Sequence, residues 1–280
     1  MTETSSSPPG EPVRLTDGIG RERYGLQFNP GGRQRALLLH ATGFNAVCYT
    51  RFLTELTERR PEISAVAVDQ RGHGFCPLPA DPDRLRSWEV FVQDLLRLLE
   101  AEPEPVLLMG HSLGGAVVLQ AAAEMPDRVA GVVALDPVLV PGWRWLLNLG
   151  LIKNPMAAVA ARRRRHYDSA DQVLESYRGR GAFADWPEAV LRDYLAGGLR
   201  PVSEGKGGEG GEGVELCCSP AWESQCFQKS GVFARRRWLR RLACPVRILK
   251  PEHLSTMQVP SVERALRRRP ETRIEIIPGG

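Results

Sequence analysis

The chain has 280 residues, 42% of them apolar, enough for one large packed domain or two small ones. Lys and Arg exceed Asp and Glu by 37 to 33, and a net charge of +4 is too slight to mark a nucleic-acid-binding protein. No apolar run is long enough to span a bilayer, and the polar start MTETSSSPPGEP lacks the apolar region of a secretory signal. The six cysteines follow no zinc or C-x-x-C spacing, and the adjacent Cys217 and Cys218 are poorly placed to bridge. A cytoplasmic chain with reduced thiols, no metal and no cofactor is expected. The basic runs Arg162–Arg165, Arg235–Arg237 and Arg267–Arg269 come without interleaved aromatic residues and read as solvated faces.

In chain order, residues 1–18 are rich in Ser, Pro and Gly and are expected to form a disordered tail. RALLLHA (35–41) reads as a buried strand, and Phe52, Leu53 and Leu56 recur at helical spacing after it. ISAVAVDQ (63–70) is a second buried strand. Residues 87–102 form a helix with Ser87 as its N-cap and Val90, Phe91, Leu95, Leu98 and Leu99 on one face. PVLLMGHS (105–112) is a strand, 113–126 a helix stopped at Pro126, and VAGVVALDP (129–137) a strand. Strands apolar throughout, alternating with helices, imply a mostly parallel sheet covered on both faces. The rhythm then breaks. Residues 141–242, with the glycine-rich stretch GKGGEGGEG (205–213), read as an inserted helical cap between a first core segment, 19–140, and a second, 243–280. In the second segment PVRILK and TRIEII are strands around a helix near VERALRRR.

Gly110-His111-Ser112-Leu113-Gly114 fits the G-x-S-x-G nucleophile elbow, and its setting between an apolar strand and a small-residue helix makes it specific. Ser112 is the candidate nucleophile. The flanking glycines clear the places where strand and helix nearly touch. The side chain of His111, one position earlier, is expected to point away from the cleft.

Over residues 20–280 the sequence resembles the α/β-hydrolase superfamily, through LLLHATGF (37–44), VAVDQRGHG (66–74), LLMGHSLGG (107–115), VVALDPV (132–138) and CPVRILKPEH (244–253). The resemblance implies an α/β-hydrolase fold with an inserted cap, and an oxyanion hole made by the amides of Leu113 and of Thr42, or alternatively Gly43 or Phe44. His40 is expected to hold its loop, as are Asp69, Arg71 and His73. The triad acid is expected either at Asp136, after the strand that precedes the cap, or at Glu252, after the strand that follows it; Asp136 is favoured by its place at a strand end, where it alternatively caps the loop before Pro137. The base is implied to follow the last strand, yet the chain ends at Ile277-Pro278-Gly279-Gly280, as though truncated before the triad His and the final helix. His253 is a weak substitute.

The expected activity is hydrolysis of a small carboxylic ester, thioester or lactone through an acyl-enzyme, impaired here by absence of the triad His. Its alternatives are C–C bond hydrolysis or haloperoxidase-like chemistry on the same site, or a non-catalytic ligand-binding role. The expected partner is a small apolar acyl or ester molecule, with no nucleic acid and no membrane span. Tyr177, Phe183, Trp186 and Tyr194 of the cap, with Trp143 and Trp145, either line its pocket or pack the cap on itself.

Overall fold

The computed structural model describes residues 10–140, 143, 145–202, 213–230, 241–257 and 260–279. Among them, strands β1 (Glu11–Thr16), β2 (Glu22–Phe28), β3 (Gln34–Leu39), β4 (Ile63–Val68), β5 (Val106–His111), β6 (Val129–Leu135), β10 (Val246–Pro251) and β11 (Thr272–Ile277) form one sheet in the order β1-β2-β4-β3-β5-β6-β10-β11. β1 and β2 run antiparallel to their neighbours, and the other pairings are parallel. The apolar runs explain the arrangement. All six residues of β4, ISAVAV, are buried, as a strand covered on both faces must be.

Helices α1 (Thr50–Arg59), α2 (Glu89–Ala101), α3 (Leu113–Glu124) and α9 (Pro260–Arg267) connect these strands. Ten of the twelve residues of α3 are buried, which its Gly, Ala, Val and Leu content permits. α2 buries Phe91, Leu95, Leu98 and Leu99 as its period predicts, although its N-cap is Trp88 and Ser87 Oγ accepts the Glu89 N–H instead. In α1, Leu53 is buried whereas Phe52 is exposed. The chain leaves β3 toward β4 on one side and returns to β5 on the other, so the loops after β3 and β5 part at a crevice above the sheet. Such crevices at the carboxyl ends of strands are where open α/β sheets bind ligands.

Two expectations need correcting. The tail does not run to residue 18: Glu11–Thr16 pairs over six rungs with β2, with Leu15 in the core. Pro12 had spoken for disorder, but β1 is an edge strand, where a missing N–H costs little. Residues 1–9 lie outside the described residues. The cap is also not purely helical. α4 (Trp145–Asn148), α5 (Pro155–Ala161), α6 (Ala170–Tyr177), α7 (Glu188–Gly198) and α8 (Pro220–Gln228) accompany a small antiparallel sheet of β7 (His166–Tyr167), β9 (Val214–Leu216) and β8 (Leu199–Pro201). Most of the glycine-rich stretch, and Arg235–Arg237, lie outside the described residues. α8 is fastened to the core by Trp88 Nε1, which donates to Cys226 O at 2.7 Å, and by Trp222 Nε1, which donates to Arg71 O at 3.0 Å.

Candidate active site

Ser112 stands alone between β5 and α3 with φ 54° and ψ −110°, a conformation that costs a non-glycine residue about 1–3 kcal/mol and persists only where its surroundings over-determine it. They do. Ser112 N–H donates to Leu135 O at 2.9 Å, and Ser112 O accepts from Ala116 N–H and Val138 N–H, each at 3.1 Å. A Cβ on Gly110 would overlap the Gly114 carbonyl, and one on Gly114 would overlap the carbonyls of Leu39 and His40. Strand and helix therefore touch backbone to backbone on either side of the serine.

Asp136, just past β6, also has a left-handed φ, 38°. Its N–H donates to Leu249 O of β10 at 2.8 Å. Its carboxylate accepts the Ser255 hydroxyl at 2.6 Å and the Thr256 N–H at 2.9 Å, while Thr256 Oγ1 donates to Asp136 O at 2.7 Å. Donors to both oxygens fix the carboxylate plane. The loop after β10, where an acid was the alternative, thus supplies the groups that hold Asp136. Glu252 is exposed and accepts the Gly279 N–H at 3.1 Å, tying β10 to the end of β11. His253 is exposed as well, and neither residue lines the cavity above Ser112.

That cavity, of about 400 Å³, is lined on the sheet side by Thr42, Phe44, His111, Ser112 and Thr256, and on the cap side by Asn154, Met156 and Phe227. Among the described residues it has no charged side chain in its lining. A larger cavity, about 920 Å³, lies between the 72–83 loop and the start of α8 beside Arg165 and Arg200; Ser112 does not line it. The cap aromatics resolve in favour of self-packing: Tyr177 stacks on Phe183 at 4.9 Å, and Trp186 meets Phe183 and Phe44 edge-on. Trp143 is exposed, and Trp145's side chain is outside the described set.

The loop after β3 is set by buried polar contacts. His40 Nδ1 donates to Ala41 O at 2.8 Å, which leaves Nε2 to accept the Gln70 N–H at 2.9 Å. Burial pushes the His40 pKa well down, so the ring is a neutral spacer, as expected. Asp69 accepts the N–H groups of Ala46 and Phe75, Arg71 forks onto Asp94, and His73 Nδ1 donates to Arg71 O. Burial raises Asp69 to about 7 and lowers His73 to about 4. The Phe44 N–H is engaged by Ala41 O at 3.1 Å, whereas the amides of Thr42 and Leu113 have no acceptor in the described chain. Gly43 has φ 78°, and a Cβ there would overlap the Glu223 carboxylate. Glu223 is itself bound by Arg163, whose other nitrogen reaches the hydroxyls of Tyr177 and Tyr194 at 2.8 and 2.9 Å.

His111 departs from expectation. Side chains alternate along a strand, but β5 ends at His111 and the chain turns at Ser112, so both residues line the cavity. His111 Nδ1 shares a hydrogen bond of 2.9 Å with the Tyr49 hydroxyl. Burial lowers its pKa, and the Asp136 charge acts in the opposite sense. Of the other histidines, His40 and His73 are buried, His166 is exposed beside Glu215 at 3.2 Å, and His253 is exposed. Sequence reasoning missed Tyr49, Ser255, Thr256 and Glu223. Only Ser255-Thr256, paired hydroxyls just past a strand, carried a readable signal.

Comparison with known proteins bears on the family and the fold. Lipase LipV of Mycobacterium tuberculosis is 32% identical over 179 residues, which cover 62% of this chain and 60% of LipV. The chain thus spans less than two thirds of that relative. A 2-(acetamidomethylene)succinate hydrolase of Mesorhizobium japonicum is 24% identical over 268 residues, 93% of this chain and 85% of the relative. The crystal structure of an E-2-(acetamidomethylene)succinate hydrolase superposes with a TM-score of 0.75 at 22% identity, over 97% of this chain and 91% of that one. The model of the alpha/beta hydrolase family matches residues 36–280, and the chain belongs to that family.

Proposed function

We propose that the protein is a serine hydrolase of a small apolar carboxylic ester, thioester or lactone, with Ser112 as nucleophile, Asp136 as triad acid and the Thr42 and Leu113 amides as oxyanion hole. The observation that carries this is the strained, glycine-cleared Ser112 opening into a cavity whose rim also holds Thr256, a donor to the Asp136 carboxylate. The hydroxyl attacks the substrate carbonyl, and the oxygen that becomes negative takes two preorganised N–H donors, each worth on the order of 10²-fold in rate or more. Collapse of the adduct breaks the acyl C–O or C–S bond, and the alcohol or thiol leaves with the proton given up by the serine. Water then adds to the acyl-enzyme, releasing the carboxylic acid and restoring the serine hydroxyl. The names of the relatives, lipase and succinate-derivative hydrolase, support hydrolysis. The lining, uncharged among the described residues, favours a neutral acyl group over a dicarboxylate, which would need a cation.

A serine needs a base to take its proton. Of the five histidines, His40 and His73 are buried in the loops they hold, His166 and His253 are exposed, and His111 shares its Nδ1 with the Tyr49 hydroxyl, so slow hydrolysis is expected of these residues. A fluorophosphonate probe tests this: Ser112 is expected to label slowly in this chain. Its p-nitrophenyl acetate hydrolysis, though slow, is expected to fall further in Ser112→Ala. Ester hydrolysis that survives Ser112→Ala unchanged refutes the assignment. In the same chain Asp136→Asn is expected to lose far more activity than Glu252→Gln; the reverse would move the acid to Glu252.

A further inference from the structure

Five of the eleven large apolar side chains exposed among the described residues fall within residues 143–159: Trp143, Leu149, Leu151, Met156 and Val159, each at least half exposed. A helix facing water carries polar residues on its outer side. α5 (PMAAVAA) carries none: Ala157 and Ala160 point inward, and Met156 and Val159 outward. The segment is anchored from within. Asn154 caps α5 and donates to Phe227 O at 2.9 Å, Gln228 Nε2 donates to the carbonyls of Leu147 and Ile152 at 2.7 Å, and Lys229 Nζ donates to Asn148 O at 2.7 Å. The apolar side chains are held outward by polar bonds beneath them.

Charge identifies the occupant. From Pro137 to Tyr167 the sequence has six Lys and Arg and no Asp or Glu. Arg163 and Arg165 turn to Glu223 and Glu215, while Lys153, Arg162 and Arg164 are exposed, Arg164 with Asp168 3.9 Å away. Apolar side chains fringed by cations match a surface that is apolar at depth and anionic at its headgroups. A second copy of the same face would bring cation against cation.

We infer that the α4–α5 face of the cap docks on an anionic lipid–water surface. Met156 belongs both to this face and to the lining of the Ser112 cavity, so the docked face opens the cavity toward the lipid. Docking requires no chemistry at Ser112; only its use, the delivery of an acyl chain to the serine, rests on the hydrolase assignment above.

Co-sedimentation of the full chain with vesicles tests the docking. The chain is expected to bind phosphatidylcholine vesicles containing about 30% phosphatidylserine, to bind pure phosphatidylcholine weakly, and to release as salt is raised. Leu151→Asp with Val159→Asp is expected to cut partitioning about tenfold or more, and Lys153→Glu with Arg162→Glu to abolish the anionic preference. The milder Leu151→Ser gives the same direction should the double aspartate variant fail to fold. Ser112→Ala is expected to bind as wild type, which separates this test from that of the hydrolase. Absence of binding to anionic vesicles, or unchanged binding by the folded Leu151→Asp/Val159→Asp variant, overturns the inference. So does light scattering that shows a dimer which that variant makes monomeric.

Discussion

On the sheet side of the Ser112 cavity, backbone meets backbone: Gly110 and Gly114 leave no room for a side chain, and His40, Asp69 and Gln70 lock the loop that carries Thr42. On the cap side the lining includes Met156 and Phe227 beside Asn154, with Met156 half in solvent, on a short helix that is apolar all round. The first wall cannot change by one methyl group, whereas the second accepts many side chains of similar size. Groups that act on the reacting atoms need fixed positions; groups that choose the acyl chain need only an apolar surface of suitable depth.

Gly114→Ala is the severest challenge to this contrast. Its Cβ would meet the Leu39 and His40 carbonyls, which cannot swing aside, and the cost is expected to reach about 3 kcal/mol or more, lowering Tm on the order of 10 °C by circular dichroism. A fall of only a degree or two would mean that the sheet wall yields. Next comes acid sensitivity through His73. Held neutral down to about pH 4, against an ordinary value of 6.5, it contributes stability that is complete above pH 6.5 and is lost as pH falls toward 4, about 3 kcal/mol in all. Asp69, raised to about 7, works in the opposite direction across the same window, so the diagnostic is the variant. His73→Leu is expected to gain urea stability relative to wild type as pH falls from 6.5 to 4.5, because only the Asp69 contribution then remains.

A smaller effect is expected of Asp136→Asn, which weakens two charge-assisted bonds from Ser255 and Thr256, about 2 kcal/mol in urea unfolding. The least is expected at the other wall. Met156→Ala should move Tm by no more than about 2 °C while changing the preference between short- and long-chain alkyl fluorophosphonates in Ser112 labelling. A large Tm loss there would erase the distinction between the walls.

The elbow was legible in the sequence because its constraint is local: small residues at fixed spacing around one serine, between an apolar strand and an apolar helix. Asp136 was legible by its place at a strand end, though not what holds it, since Ser255 and Thr256 lie about 120 residues away and only topology brings them near. His111 was misread because strand alternation was carried one residue past the point where the strand gives way to a turn. β1 was hidden by a composition that an edge strand tolerates, and the three-stranded sheet of the cap by strands of two or three residues, too short for any period to register.

The bonds between Asp136 and the 255–256 segment also set an order of assembly. Residues 1–138 emerge first from the ribosome and contain β3, β5, α3, β6 and the Val138 amide, the groups that hold the serine turn. The carboxylate stays unheld until the whole cap has been made and β10 has slotted beside β6, because its partners lie beyond that insertion. Long-range closure of this kind is a late step in folding. A nascent chain therefore displays its serine well before it can fix the Asp136 carboxylate, which is held only once the whole cap has been made.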